Sequence, residues 1–355
     1  MDSTYSGTYG KLKAYYPDFL SRQFIDDLIS SPNLDDIQGR LARTVYGEHI
    51  NHLASLYRNP ELLEIAVNRE LVRKNRIALF AVPPASKNSV LAYLAKWDIE
   101  NIKSILSSKF MDYPLRESDA FLISFRDVPM GIFAGTLRDE DFKAMLSRGG
   151  SVEDVINFLS PTPYGTAMLS QIDQYRKTKD LSVLFFALDV YYYTNLLNTI
   201  LFYNGDEGPV LRLVRELIDV HNLDVLIKGK SMEVEFSRII RGGLIAGGNI
   251  GVERLSDLYR SQDVEQIAKN NGQFDLGPAV ESFRQDGNML HFDLEMRRQV
   301  YSKYMPVISS MSLSLGSMFH FMIMSEVERE NLRTIILGKH YGLSEESLRK
   351  LILRW

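Results

Sequence analysis

Apolar residues recur along this chain mainly at the spacing of an α-helix. Segments with this spacing include Leu62, Ile65 and Ala66, then Leu211, Val214 and Ile218, and later Leu332, Ile335 and Ile336. Residues three and four positions apart lie on one face of a helix, so each segment predicts a helix that buries one side. Strand-like alternation is scarce, and glycines and prolines fall between the periodic segments. The pattern therefore predicts an all-α protein.

A short polar pattern occurs three times within this helical background. Each copy opens with an acidic residue, and three positions later comes an asparagine, namely Asn101, Asn222 and Asn331. Seven positions after the asparagine lies a small residue, and a lysine follows it directly, namely Lys109, Lys230 and Lys339. The asparagines lie 121 and 109 residues apart. A repeat at this period indicates three unequal copies of one unit.

A second pattern supports the same three units. Segments 34–37, 152–155 and 264–267 each place an acidic and a polar residue between two apolar ones. We therefore expect helical repeat units at residues 1–125, 126–240 and 241–355. The joins near residues 126–129 and 241–243 are short, which favours one rigid body over mobile domains. A threefold repeat of this kind favours a structural role over a catalytic one.

The repeated asparagines predict internal tethers between helices. Asparagine is unfavourable inside a helix because its side chain competes for backbone hydrogen bonds. Its recurrence beside an apolar stripe suggests that each carboxamide binds a neighbouring helix or loop. Candidate partners lie on the preceding helix at Asn68, Asp189 and Glu295. The alternative is that these asparagines belong to an external interface.

Composition narrows the class of protein. Hydrophobic residues make up 45% of the chain and charged residues 24%, as in a soluble globular protein with a buried core. The formal net charge of -4 argues against a dedicated nucleic-acid binder, which would carry a basic patch. The absence of cysteine excludes disulfides and thiolate chemistry and fits a reducing compartment. The first residues lack the basic and apolar regions of a secretory signal, so none is expected.

One uncharged stretch, residues 305–324, has about the length that crosses a bilayer. It contains Pro306, five serines, Gly316 and His320, which are unfavourable or at best neutral in hydrocarbon. The stretch therefore predicts a buried core helix that leads into the third asparagine motif.

Residues 228–231 read Lys-Gly-Lys-Ser, the end of a phosphate-binding loop. The first glycine of such a loop is missing, since Asp224 occupies its place, and the preceding residues predict a helix. The lysine also recurs in the other two copies. A glycine that ends a helix and a lysine that complements its C-terminal dipole explain the segment better than nucleotide binding.

Other candidate chemistry is weak. The run of glycines from Gly242 to Gly251 does not match a dinucleotide fingerprint and predicts a turn between helices. His49 and His52 share a helical face, but no third ligand lies at a metal-binding spacing. No nucleophile elbow, catalytic triad or paired carboxylates can be assembled locally. We therefore expect no catalytic, cofactor-binding or metal-binding residue, with a helical enzyme whose site is dispersed along the chain as a remaining alternative.

The asparagine segments, the Tyr-Gly pairs at residues 46–47 and 164–165, and the C-terminal segment 338–346 together carry a resemblance. They look like the C subunit of the archaeal-type and V-type rotary ATP synthases, which is related to the d subunit of vacuolar ATPases. The resemblance covers essentially the whole chain. It implies an all-helical, funnel-shaped protein with three similar units about a pseudo-threefold axis and a central cavity.

The resemblance also implies a function. Members of this family have no active site, cofactor or bound nucleotide of their own and act as a monomer within their complex. They lie on the cytoplasmic face of the membrane as peripheral subunits. Such a protein receives the central stalk in its cavity, rests on the proteolipid ring, and transmits torque between ion flow and nucleotide chemistry. The rival hypothesis is an all-helical repeat scaffold that binds a soluble protein partner.

The resemblance gives the repeated lysines a possible external role. Lysines near helix ends are able to meet both the loops of a ring and anionic lipid headgroups. We therefore treat Lys109, Lys230 and Lys339 as candidate basic contacts at the membrane side.

Overall fold

The computed structural model describes residues 4–112, 137, 139–148, 150–201, 208–261 and 263–355. Within these ranges the chain is helical and forms no β-strand, so the predicted all-α class is confirmed. Short 3-10 turns lie at Tyr16–Asp18 and Pro84–Ser86. The α-helices are, in chain order, α1 (Thr4–Lys13), α2 (Arg22–Ile29), α3 (Leu34–Leu41), α4 (Gly47–Leu53), α5 (Glu61–Ala81), α6 (Lys87–Met111), α7 (Asp139–Arg148), α8 (Val152–Leu159), α9 (Pro163–Leu169), α10 (Ile172–Thr178), α11 (Ser182–Leu201), α12 (Gly208–Ser231), α13 (Phe236–Gly242), α14 (Val252–Ser261), α15 (Val264–Asn270), α16 (Gly277–Asp286), α17 (Leu290–Ser310), α18 (Leu315–His340) and α19 (Glu345–Leu351).

The second sequence pattern marks the starts of three similarly capped helices. Helices α3, α8 and α15 begin at its first residue in each copy. The side chains of Asn33, Ser151 and Asp263 each accept a hydrogen bond from the backbone N–H three residues later. Such N-caps satisfy a donor that has no partner inside the helix. The pattern therefore records a repeated local structure.

The first of two compact units comprises residues 4–104, 137, 139–143 and 309–353 of the described chain. Its centre is α18 packed along α5, with α2 and α3 also against α18 and α19 against α2. The core joins Leu28, Ile37 and Leu63 from the start of the chain with Ile335 and Leu348 from its end. The two ends of the chain therefore share one hydrophobic core.

The second compact unit comprises the described residues within 105–112, 144–308 and 354–355. Helix α11 packs against α9, α10, α12 and α13, and α12 also packs against α14 and α15. Helix α17 is bonded to α12, because Tyr304 Oη donates a 2.8 Å hydrogen bond to Glu216 Oε1, which also accepts from Lys303 Nζ. The division into two compact units does not test the repeat found in the sequence, so the three repeat units remain a prediction. Their limit at residues 125 and 126 lies outside the described residues.

The uncharged stretch differs from its prediction in one respect. Residues 305–324 form the end of α17 and the start of α18, not one core helix. The chain breaks there because the Ser314 side chain accepts from Gly316 N and caps α18. Among the described residues, no helix combines the length and the apolarity that a membrane crossing requires.

Candidate functional site

The three repeated asparagines lie on the long helices α6, α12 and α18, nine or ten residues before each helix ends. All three are buried. A buried carboxamide needs hydrogen-bond partners, because its donor and acceptor groups otherwise lose their contacts with water without replacement. The partners of these side chains therefore decide what the motif does.

Asn222 and Asn331 make the same pair of hydrogen bonds. Asn222 Nδ2 donates to Ile245 O at 2.8 Å, and Ile245 N donates to Asn222 Oδ1 at 2.8 Å. Asn331 Nδ2 donates to Leu353 O at 3.0 Å, and Leu353 N donates to Asn331 Oδ1 at 2.8 Å. Each asparagine thus fastens the backbone that follows its own copy of the motif to the long helix.

These partners differ from the predicted ones. Asp189 and Glu295 do not receive the bonds, and Glu295 instead accepts from Gln299 Nε2 on its own helix at 3.0 Å. Asn68 accepts from Arg329 Nε at 3.0 Å. The reason is complementarity, since one residue's backbone offers both a donor and an acceptor to a carboxamide, whereas a carboxylate only accepts.

Asn101 lies at the corresponding place on α6. Its carboxamide is buried and has no hydrogen-bond partner among the described residues. Residues 123 and 124, which follow Asn101 at the same distances as Leu353 and Ile245 follow their asparagines, lie outside the described residues. The structural role predicted for this copy remains a prediction.

The glycines that follow Asn222 and Asn331 allow a close helix contact. A β-carbon added to Gly229 would lie 2.6 Å from Ile239 Cδ1, and one on Gly338 would lie 2.3 Å from Leu348 Cδ2. Both glycines lie within α12 and α18, so the prediction that the glycine ends a helix is wrong. Glycine instead lets the next short helix, α13 or α19, approach the long one, and the asparagine then ties down the chain beyond it.

Two of the repeated lysines also act within the protein. Lys109 Nζ donates to Leu146 O at 2.9 Å, and Lys230 Nζ donates to Tyr259 O at 2.8 Å. These carbonyls belong to the last turns of α7 and α14, where oxygens lack helical partners and a positive charge complements the dipole. The lysines thus complement the next copy's helix and not their own. The Lys339 ammonium has no such partner in the described chain.

The acidic residue that opens each copy has a role that its sequence did not indicate. Asp219 Oδ2 accepts from Asn249 N at 2.9 Å, and Oδ1 accepts from Ile250 N at 3.0 Å. Glu328 Oε2 accepts from Leu20 N at 2.6 Å. Asp98 is fully buried at the same position. A constant spacing of three residues before the asparagine is the signal that could have identified these acids.

Asp219 and Glu328 differ in the groups that face their buried carboxylates. Desolvation raises the pKa of Asp219, and the two backbone N–H donors oppose that rise. For Glu328, the opposing charge is Lys74, whose Nζ lies 2.6 Å from Glu328 Oε1 and 3.9 Å from Glu70 Oε1. Tyr46 Oη donates to Glu328 Oε1 at 2.7 Å. Burial raises the pKa of Tyr46, and the adjacent Glu328 carboxylate raises it further, so the phenol remains a donor.

A family model described as ATP synthase (C/AC39) subunit matches residues 8–351, and thus both compact units and all three copies of the motif. The chain belongs to this family. A protein from Thermoplasma volcanium, named as the C subunit of the A-type ATP synthase, is 45% identical over 354 residues, 99% of each chain. Proteins of the same name are 43% identical in Thermoplasma acidophilum, over 99% of each chain, and 25% identical in Methanocaldococcus jannaschii, over 93% of this chain and 81% of the relative. The resemblance inferred from the motifs is confirmed.

Replacing a motif asparagine in this ATP synthase (C/AC39) subunit is expected to lower its stability. Asn222→Leu or Asn331→Leu leaves a buried backbone N–H and C=O without partners, which costs roughly 1–3 kcal/mol of unfolding free energy. Chemical denaturation followed by circular dichroism measures the loss. The control is Asn157→Leu on the exposed face of α8, expected to change the value by less than about 0.5 kcal/mol. A variant that keeps its stability but loses a protein partner would identify the asparagine as an interface residue instead.

Proposed function

We propose that this chain is the non-catalytic rotor subunit of an A-type ATP synthase that links the central stalk to the membrane ring. The observation that carries the proposal is 45% identity, over 99% of both chains, to a protein named as the C subunit of the A-type ATP synthase. In this role the protein receives the stalk in a central cavity and rests on the proteolipid ring. It transmits torque between ion flow and nucleotide chemistry without binding nucleotide itself.

Repeated internal ties support a role in torque transmission. Asn222 and Asn331 fasten the chain beyond their long helices, and Lys109 and Lys230 fasten the helix of the next copy. Packed cores and bonded helices transmit force because they deform little. We propose that the three units, 1–125, 126–240 and 241–355, close about a pseudo-threefold axis around the cavity. The packing of α18 along α5 supports this closure.

The proposed location is the cytoplasmic face of the membrane, where the protein is a peripheral part of the complex. Attachment then depends on the ring and on basic residues that meet ring loops or lipid headgroups. Of the three predicted lysines, Lys339 best suits such a contact, because Lys109 and Lys230 already bind helix carbonyls. The protein acts there as a single copy, with no nucleic-acid partner.

A binding experiment with the purified chain tests the two-partner role. The chain is incubated separately with central-stalk subunits and with liposomes that contain the proteolipid ring, and retention is measured by cosedimentation or pull-down. Liposomes of the same lipids without the ring are the matched control. We expect retention by the stalk and by ring liposomes but little by the control. Retention by a soluble partner alone would favour the helical scaffold, and equal retention by both kinds of liposome would contradict a ring contact.

A further inference from the structure

Two acids of the repeated motif hold the chain at equivalent points. Asp219 accepts from the N–H groups of Asn249 and Ile250, and Ile250 lies two residues before the start of α14. Glu328 accepts from the N–H of Leu20, which lies two residues before the start of α2. Both acids thus bind the backbone at the entry to a helix, in the same register.

Helices α2 and α14 correspond to each other in the repeat. The capped helix that follows each begins twelve residues later, α3 at Leu34 and α15 at Val264. Asp219 belongs to the second copy of the motif, and α14 lies in the third unit of the sequence. The acid of one copy therefore holds the entry to the helix pair α14–α15 in the next. Glu328 belongs to the last copy, and the helix pair that it holds is the one at the start of the chain.

We propose that Glu328 is a latch that closes the series of repeats by binding its last copy to its first. The Glu328 latch consists of the hydrogen bonds that Leu20 N, Tyr46 Oη and Lys74 Nζ donate to this carboxylate. All three donors belong to the first copy, whereas Glu328 lies on α18. This inference concerns the chain by itself and goes beyond the proposed function, so its test does not depend on that function.

Surface contacts between α19 and α2 add to the latch but are weaker than its bonds. Arg349 on α19 forms an ion pair with Asp26 on α2, and Glu345 Oε2 accepts from Ser30 Oγ at 3.3 Å. These side chains are exposed, and exposed pairs contribute little. The Glu328 bonds to Tyr46 and Lys74 are buried and the bond to Leu20 is partly buried, and all three involve a charge, so each is stronger. The latch thus adds a buried polar tie to the hydrophobic core in which α2 already packs against α18.

Native-state hydrogen exchange of the full chain tests the latch through two matched variants. Glu328→Gln removes the charge of the latch, and Asp219→Asn removes that of its counterpart in the second compact unit. We expect Glu328→Gln to speed exchange of the α2 amides roughly tenfold or more, because a hydrogen bond to a charged group is stronger than one between neutral groups. Exchange in α14 should be unchanged. Asp219→Asn should produce the opposite pattern.

A second pair of variants separates the latch from general destabilisation of the core around Lys74. Leu20→Pro deletes one backbone donor and leaves Tyr46 and Lys74 with their acceptor, and the extended conformation of Phe19 accommodates a following proline. Leu20→Ala is the control that shortens the side chain but keeps the N–H. Faster α2 exchange in Leu20→Pro than in Leu20→Ala supports the latch, even if Glu328→Gln unfolds the protein. Equal exchange in these two variants, or unchanged α2 exchange in Glu328→Gln, overturns it.

Discussion

A-type complexes reconstituted without this chain are expected to lose ion-gradient-driven ATP synthesis while the soluble catalytic head continues to hydrolyse ATP. If the chain joins stalk to ring, its removal breaks the mechanical path and leaves the nucleotide sites in the head intact. Synthesis should fall to the background of uncoupled liposomes, because no rotation of the ring would reach the head. Synthesis and hydrolysis are measured on the same preparations.

Adding back purified chain provides the control for this experiment. The wild-type chain should restore synthesis, and Asn222→Leu should restore it at low temperature, where its lower stability has little effect. Recovery with the first and not with the second would place Asn222 at a partner interface. Unimpaired synthesis in complexes without the chain would contradict the coupling role altogether.

The sequence predicted the features that recur along the chain at a regular spacing. Helical spacing identified three of the long helices, α5, α12 and α18. The segments at 34–37, 152–155 and 264–267 marked the repeat in the sequence, and the structure shows that each begins a capped helix. The recurrence of asparagine inside a helix predicted a tether to a neighbouring segment, and Asn222 and Asn331 each bind such a segment through its backbone. These features depend on the chain's local chemistry, which a sequence displays directly.

The partners of the motif were not predictable in the same way. Asn222 and Asn331 bind backbone groups 23 and 22 residues downstream, and a backbone N–H and C=O have no side-chain signature. A lysine near a helix end was expected to complement the dipole of its own helix. No residue near Lys109 or Lys230 in the sequence indicated that each would bind a helix of the next copy instead. Tertiary packing decides both, so only the structure reveals them.

The burial of Lys74 is the clearest case of a feature hidden from sequence. It occupies α5 among charged neighbours and would ordinarily extend into water, yet its side chain is 1% exposed. Its ammonium lies 4.0 Å from the centre of the Phe19 ring and contacts Glu328, which comes from the far end of the chain. A charge-bearing residue is accepted in a core only where such partners converge.

Replacing Lys74 is expected to destabilise the first compact unit more than any other single change considered. Lys74→Met keeps most of the side-chain volume but leaves Glu328 and Glu70 buried with less opposing charge. Breaking a buried pair by removing one partner costs about 3–5 kcal/mol of unfolding free energy, because the remaining charge stays desolvated. Glu70 depends on the same neighbourhood: burial alone would raise its pKa, but His49, Arg73 and Lys74 outweigh burial and lower it.

Denaturant unfolding measures the effect of Lys74→Met, with Lys350→Met on the exposed face of α19 as the matched control. The control pair with Glu346 is exposed to solvent, so its loss should cost less than about 1 kcal/mol. Adding Glu328→Gln to Lys74→Met should recover part of the lost stability, since the double variant removes the stranded charge along with its partner. A double variant less stable than Lys74→Met would show that the hydrogen bonds from Leu20 and Tyr46 to Glu328 stabilise the protein by more than the buried, unpaired charge destabilises it. A Lys74→Met protein as stable as the control would contradict the buried ion pair itself.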